Sequence, residues 1–346
     1  MLLVFLVLIA LDFGKGNQHF IFIHLPKNCM VRSRIYLGGA ALVLGFLLSL
    51  LTGCASFRQI EMPQLPDNLP ASHELTAVPF FPQKEYQCGP AALAMAISWS
   101  GLPARPEDLV EEVYTPSRKG SLQMAMIATT RRHGRLAYEI SDLESLFPEI
   151  ASGYAVIILQ NLGFSWFPVW HYAVVVGYDT AQKYVMLRSG TFSRKVMSFG
   201  VFEKTWARSN YWGIIILQPT QLPTLAKEKT YLSAVLGLEK AHQFLAAVSG
   251  YRTALTRWPE SLTARMGVGN SYYALGDFMN SDKAFRETIH LHPQAGAAYN
   301  NLAQILMERG RYPEALEMAR KAVSLGGPLQ AVFHQTLQEI ESKMSQ

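Results

Sequence analysis

Cysteine is scarce in this 346-residue chain: Cys29, Cys54 and Cys88 are the only three. That number excludes a small scaffold framed by disulfides. Concentrated positive charge is also missing, because a formal net charge of +5 is spread without a basic block. Nor do basic residues interleave with aromatics, so no nucleic-acid partner is expected. The chain has no G-x-x-x-x-G-K loop to cradle phosphate and no metal-ligand spacing, so neither a cofactor nor a metal is expected. A bundle of spanning segments is lacking as well, which excludes a transporter. At 49% hydrophobic and 16% charged residues the composition is that of a folded chain, with room for two modest domains.

The cysteines separate by context. Cys54 closes Leu51-Thr52-Gly53-Cys54, after basic Arg32 and Arg34 and the apolar stretch Ile35 to Leu50. A charged start, an apolar centre and small residues at a cut form the layout of an export signal. The stretch resembles a bacterial lipoprotein signal, which implies a lipid on Cys54 and export. A membrane-spanning helix is the competing reading, although the apolar run is near the short limit for one. Residues 1–53 are thus read as a signal region, with Met30-Val31-Arg32-Ser33-Arg34 a better start than Met1. Residues 54–75, with Pro63, Pro66 and Pro70, read as a lipidated tether. Ala55 stands where an aspartate would resemble an inner-membrane retention signal, so the expected place is the outer membrane, facing the periplasm. Cys88 is then the one free thiol of the mature chain.

Residues 76–218 follow an α+β order. Ala77 to Phe81 reads as a short strand, and an apolar helix follows from Ala91 to Trp99. Residues 105–150 read as helical, with starts at Pro106, Gly120 to Gln123 and Asp142. Strands are expected at Tyr154 to Leu159, Tyr172 to Gly177, Tyr184 to Leu187 and Gly213 to Leu217, with a polar hairpin turn over 178–183. Prolines 219 and 223 mark a second boundary. Beyond it, residues 228–346 are helical and repeat: Pro259 and Pro293, Gly276 and Gly310, and Phe278 and Tyr312 are each 34 residues apart. With Leu262 as the first position, Gly269, Tyr272, Phe285 and Pro293 fall where a tetratricopeptide repeat needs them. A second unit begins at Gly296, an earlier one near Glu228, and Gln330 to Ser345 reads as a capping helix.

The chemistry concentrates on Gln83-Lys84-Glu85-Tyr86-Gln87-Cys88-Gly89-Pro90-Ala91-Ala92. A cysteine where a polar loop enters a helix meets unpaired amides and the helix dipole, which favour the thiolate. A nucleophile also needs a base. Of nine histidines, His171 alone begins a strand in the same domain as Cys88. It follows the aromatic run Phe164-Ser165-Trp166-Phe167-Pro168-Val169-Trp170, in which Trp166, Phe167 and Trp170 either line a groove for an apolar chain or pack in the core. Asp179 reads as a residue of the hairpin turn.

Together with His171-Tyr172-Ala173-Val174-Val175-Val176-Gly177-Tyr178-Asp179, the cysteine motif resembles the bacteriocin-processing (double-glycine) cysteine peptidases over about residues 76–218. The resemblance implies a papain-like fold in which Cys88 attacks a peptide carbonyl, His171 is its base and Gln83 donates to the oxyanion. Two positions depart from that pattern. Gln83 lies five residues before the cysteine where the family more often has six, and Leu187-Arg188-Ser189-Gly190 stand where an aspartate is usual, leaving Ser189 as the candidate to orient the imidazole. The expected function is a membrane-anchored periplasmic cysteine peptidase whose repeats recruit a protein partner or substrate. A non-catalytic peptide-binding scaffold and a hydrolase of peptidoglycan stem peptides are the alternatives.

Overall fold

The computed structural model describes residues 69–345, all within one contact-linked unit. The signal region, Cys29, Cys54 and residues 54–68 of the proposed tether lie outside the described residues. The chain runs β1 (Ser72–Glu74), α1 (Cys88–Trp99), α2 (Pro106–Val113), β2 (Tyr114–Thr115), a 3-10 turn (Pro116–Arg118), β3 (Gly120–Ser121) and α3 (Gln123–Arg132). It continues through β4 (Leu136–Ile140), α4 (Leu143–Ala151), β5 (Val156–Asn161), β6 (Trp170–Asp179), β7 (Tyr184–Ser189), β8 (Phe192–Ser198), α5 (Phe199–Ala207) and β9 (Gly213–Leu217). Helices follow: α6 (Glu228–Lys240), α7 (Phe244–Arg257), α8 (Leu262–Ala274), α9 (Phe278–Leu291), α10 (Gly296–Glu308), α11 (Tyr312–Leu325) and α12 (Gln330–Met344).

An antiparallel sheet in the order β4-β9-β5-β6-β7-β8, with β1 on β6, forms the scaffold of the first part. Helix α1 is apolar all round, and Gly89 to Ile97 are buried without interruption. Such a helix belongs inside a domain rather than on its surface. Alanine-rich composition suits it, and Pro90 is tolerated because it sits in the first turn. Gly101, at φ +83°, ends the segment.

Three readings of the sequence need correction. Ser72–Glu74, assigned to the tether, is a strand paired with Gly177 to Asp179. Ala77 to Phe81 is not a strand: Pro79 and Pro82 offer no N–H, and the buried Arg188 guanidinium takes the carbonyls of Thr76 and Val78 instead. The helical reading of 105–150 hides β4, buried except at Glu139 because α6 packs across it. Both β8 and α5 were also missed. Most of β8 is exposed and lacks a regular apolar alternation.

The helical part is an array of tetratricopeptide-type hairpins, with α6/α7, α8/α9 and α10/α11 as pairs and α12 closing the end. Gly269 shows why the repeat needs a small residue there, since a Cβ on it would lie 2.6 Å from the Phe285 ring. The first hairpin is not a separate body. Tyr231, Val235, Leu238 and Tyr251 belong to the same apolar core as the sheet. The connecting segment is pinned by buried Glu149, whose carboxylate accepts from the N–H groups of Thr224 (3.0 Å) and Leu225 (2.8 Å). Among the described residues, no helix is long and apolar enough to cross a membrane.

Candidate active site

Cys88 is the first residue of α1, half-buried and unpaired. Tyr86, two residues earlier, adopts a left-handed backbone at φ 60°, a conformation that costs free energy for a residue with a Cβ. This turn delivers the cysteine to the end of the helix that carries free amides. Its sulfur meets the backbone N–H groups of Tyr172, Gly89 and Cys88 itself. Gly89 lets β3 close over that turn, because a Cβ there would sit 2.2 Å from Ser121 Oγ.

The expectation of a thiolate is corrected by burial. The surrounding protein pushes the Cys88 thiol above its ordinary value, and the three amides pull it down by less. Removing a thiolate from water outweighs dipoles that a partly wet helix end would have made decisive. At neutral pH the resting cysteine is a thiol.

His171 is the second residue of β6, and its neighbour Tyr172 gives the N–H that reaches the sulfur. Its Nε2 lies 2.9 Å from Ser189 Oγ. With Nε2 occupied by the serine, Nδ1 is the nitrogen left to take a proton from a thiol. Burial, and secondarily the charge of Lys195 on β8, depress the imidazole to about 4. Ser189 ends β7 and is buried. The pairing of β7 with β8 shifts register between Leu187 and Ser189, the kind of irregularity that re-aims a side chain.

Gln83 joins these pieces. Its backbone N–H donates to Gly190 O at 3.0 Å, its Oε1 accepts from Gly190 N at 2.9 Å, and its Nε2 donates to Tyr172 O at 3.2 Å. One glutamine therefore ties the histidine strand to the turn after the serine. One Nε2 hydrogen remains for another acceptor. The structure thus links Cys88, through the Tyr172 N–H, to the strand that carries His171, sets His171 against Ser189, and ties Gln83 to that strand and to the turn after Ser189. Asp179, at the opposite end of β6, accepts from Gln182 N and serves its turn, as expected.

Sequence reasoning passed over Ser121 and Tyr172. Ser121 Oγ is buried without a hydrogen-bond partner among the described residues, close to the first turn of α1. The Tyr172 hydroxyl donates to Ser121 O at 3.1 Å, and burial raises its phenol. Neither had a sequence signal beyond the small-residue turn Gly120-Ser121 and adjacency to His171. Of the two readings of the aromatic run, core packing is excluded, since Trp166, Phe167 and Trp170 are 80%, 67% and 51% exposed.

Comparison with known proteins agrees with both parts of the chain. Residues 75–214 match the model of the Peptidase_C39 like family, and residues 232–278 and 269–328 match a tetratricopeptide repeat model. No curated protein matches the chain. Among solved structures, a C39-like peptidase from Bacillus anthracis is 18% identical, with 42% of this chain and 97% of that one covered and a TM-score of 0.38. The Sgt2 tetratricopeptide domain from Aspergillus fumigatus is 16% identical, covering 34% of this chain and 79% of its own, with a TM-score of 0.32. The Yersinia enterocolitica type III secretion translocator chaperone SycD is 14% identical, with 34% and 86% covered and a TM-score of 0.32. The first part is therefore an α+β C39-like domain, and an all-helical tetratricopeptide region follows it.

Proposed function

We propose that the C39-like segment is a cysteine peptidase in which Cys88 is the nucleophile, His171 its base and Ser189 the group that orients the base. The observation that carries this reading is the His171–Ser189 contact of 2.9 Å, which commits Nε2 and leaves Nδ1 for the thiol. The reaction begins from a neutral pair, because burial disfavours charge on both groups. The Cys88 proton moves to Nδ1 as Sγ attacks the peptide carbonyl, and the oxyanion forms near the N-terminus of α1. Imidazolium then returns its proton to the leaving amine, and a thioester remains. Water, deprotonated by the same imidazole, hydrolyses the thioester to acid and thiol. Gln83 Nε2 is the side-chain donor assigned to the oxyanion.

A second reading has an observation in its favour. Ser189 brings a hydroxyl and no charge to His171, and burial, with the charge of Lys195, holds the imidazole near 4. On this reading the fold binds an extended peptide without cleaving it. Export, acylation of Cys54 and residence on the periplasmic face of the outer membrane belong to the proposal, as does recruitment of a protein or peptide by the repeats.

One experiment addresses these claims together. The purified mature chain is treated with a peptidyl vinyl sulfone and its peptides are weighed. The peptidase reading expects an adduct on Cys88 that disappears in His171→Gln, and a diacylglycerol mass on Cys54. A Cys88 that reacts no faster than a free thiol, with no dependence on His171, supports the binding scaffold. Incubation with cell-wall fragments and with unfolded protein then separates a stem-peptide hydrolase from a protein peptidase.

A further inference from the structure

Arg131, the next-to-last residue of α3, differs from the arginines beside it. Arg132 and Arg135 find partners in Glu112 and Ser100 Oγ. The Arg131 guanidinium carries five N–H donors and makes no hydrogen bond among the described residues, and its Nε is buried without a partner. Helix α6 fixes this pose. A Cβ on Gly237 would lie 2.2 Å from Nε and 2.4 Å from Cζ, so glycine admits the group there and a larger residue does not. Burial holds the guanidinium below its ordinary value, and the charge of Glu139 opposes that only in part. A half-buried charge without a partner is costly, and a buried polar atom left unbonded calls for an explanation.

Arg131 lines a cavity of about 220 Å³ between α3, β4 and α6. Glu139 enters it from β4, the one exposed residue of an otherwise buried strand. Helix α6 supplies Lys229, Thr230 and Ser233. Residues 230, 233 and 237 fall at i, i+3 and i+7, so the two hydroxyls share a face with Gly237. Among the described residues neither hydroxyl bonds back to a helix carbonyl, as Ser249 and Thr253 do on α7. Neither Lys229 nor Glu139 has an ion-pair partner among them either. Two cations, one carboxylate and two hydroxyls thus line one cavity, and none of them satisfies another.

We propose that this cavity is a binding site for a free α-amino acid with an acidic side chain. The lining selects that class by its charges. A simple oxyanion would suit Arg131 and Lys229 but would face the Glu139 carboxylate, and a simple cation would face the two bases. A zwitterion meets both signs. Its α-carboxylate takes the terminal nitrogens of Arg131, which unlike Nε are not sealed against α6, in the bidentate manner a guanidinium favours. Its ammonium takes Glu139. Two positive side chains against one negative leave a charge over, which a second carboxylate neutralises at Lys229, with Thr230 and Ser233 as further donors. Size points the same way: sites for drug-sized ligands span about 300–1,000 Å³, and this one is smaller. Neither Cys88 nor His171 takes part, so the inference stands apart from the peptidase reading.

The test is isothermal titration calorimetry of the purified protein at low ionic strength with glutamate, glutamine, N-acetylglutamate and acetate. Each is raised to about 10 mM, enough to saturate a site with a Kd of about 1 mM. Glutamate is expected to bind, with glutamine and N-acetylglutamate weaker by about tenfold or more, the worth of a charge-assisted hydrogen bond. In Glu139→Gln, a change at an exposed position, N-acetylglutamate should bind at least as well as glutamate, because the group that reads the ammonium is gone. Arg131→Met should lose glutamate binding with the far-UV spectrum unchanged; should that variant fail to fold, Glu139→Gln decides alone. The proposal is overturned by an absence of saturable heat from glutamate, or by equal affinity for all four ligands, which marks a diffuse positive surface. A Glu139→Gln protein that still prefers glutamate to its N-acetyl form overturns it as well.

Discussion

Ser189 provides the sharpest test of the proposed site, because the same position can be weakened or strengthened. Ser189→Ala removes the group facing Nε2 at 2.9 Å in a buried setting. A buried donor left unpaired costs about 1–3 kcal/mol. At about 1.4 kcal/mol per decade, the loss in transition-state stabilisation is about 5- to 150-fold. The assay is the second-order rate of Cys88 inactivation by a peptidyl vinyl sulfone between pH 3 and 9. Wild-type inactivation should rise along an acid limb near 4, set by the depressed imidazole. Ser189→Asp places an opposite charge at the ring, worth about 1–3 pKa units, and should move that limb to between about 5 and 7. Extra volume in a packed site costs about 1–3 kcal/mol of stability, which a thermal melt reads separately. A Ser189→Ala protein that reacts at the wild-type rate, together with an aspartate variant whose limb does not move, would show that Ser189 does not orient the base.

Three further outcomes follow from the geometry. Gln83→Ala should lower hydrolysis or inactivation by about 10²–10³-fold if the amide serves the oxyanion; an unchanged rate with a lower Tm would reduce Gln83 to a tie between β6 and Gly190. Glu149→Ala leaves the N–H groups of Thr224 and Leu225 without their acceptor and should lower unfolding free energy by about 1–3 kcal/mol, measured as a shift of the urea midpoint at constant m; no shift would mean that water replaces the carboxylate. Histidine 171 also makes stability pH-dependent: the unfolded chain takes up the proton near 6.5 and the folded chain only near 4, so stability is full above 6.5 and falls as pH drops towards 4. With the part of the ring that water still reaches taken into account, the loss is about 2–3 kcal/mol. His171→Gln should flatten that slope in urea titrations at pH 4 and 7, and an unaltered slope would assign it to other groups.

Some of this molecule is written locally. The 34-residue spacing yields the repeat helices because each unit carries its own small-residue and aromatic positions, and Leu262, Gly296 and Gln330 all begin helices. The strand ending the first part, Gly213–Leu217, is likewise a buried apolar run that needs no context. By contrast, β4 and β8 gain their strand character from neighbours. The first is covered by α6, and the second pairs along β7 while most of its side chains face water. Ser72–Glu74 is strand only because β6 offers it an edge.

The candidate site divides in the same way. Sequence alone singled out Cys88 by the fate of the other cysteines, His171 by its place before an apolar strand, and Gln83 and Ser189 by comparison with a motif. These are statements about residue type and order, which the chain carries in one dimension. Protonation was decided only in three dimensions: burial overrides the helix N-terminus at Cys88 and strips charge from His171, and burial is a property of everything packed around a group. The exposure of the 164–170 aromatics was also settled there. An apolar run reads alike in a core and on a tip, and the backbone bonds of the hairpin together with those of Asn161 and Arg208 hold this one in the open.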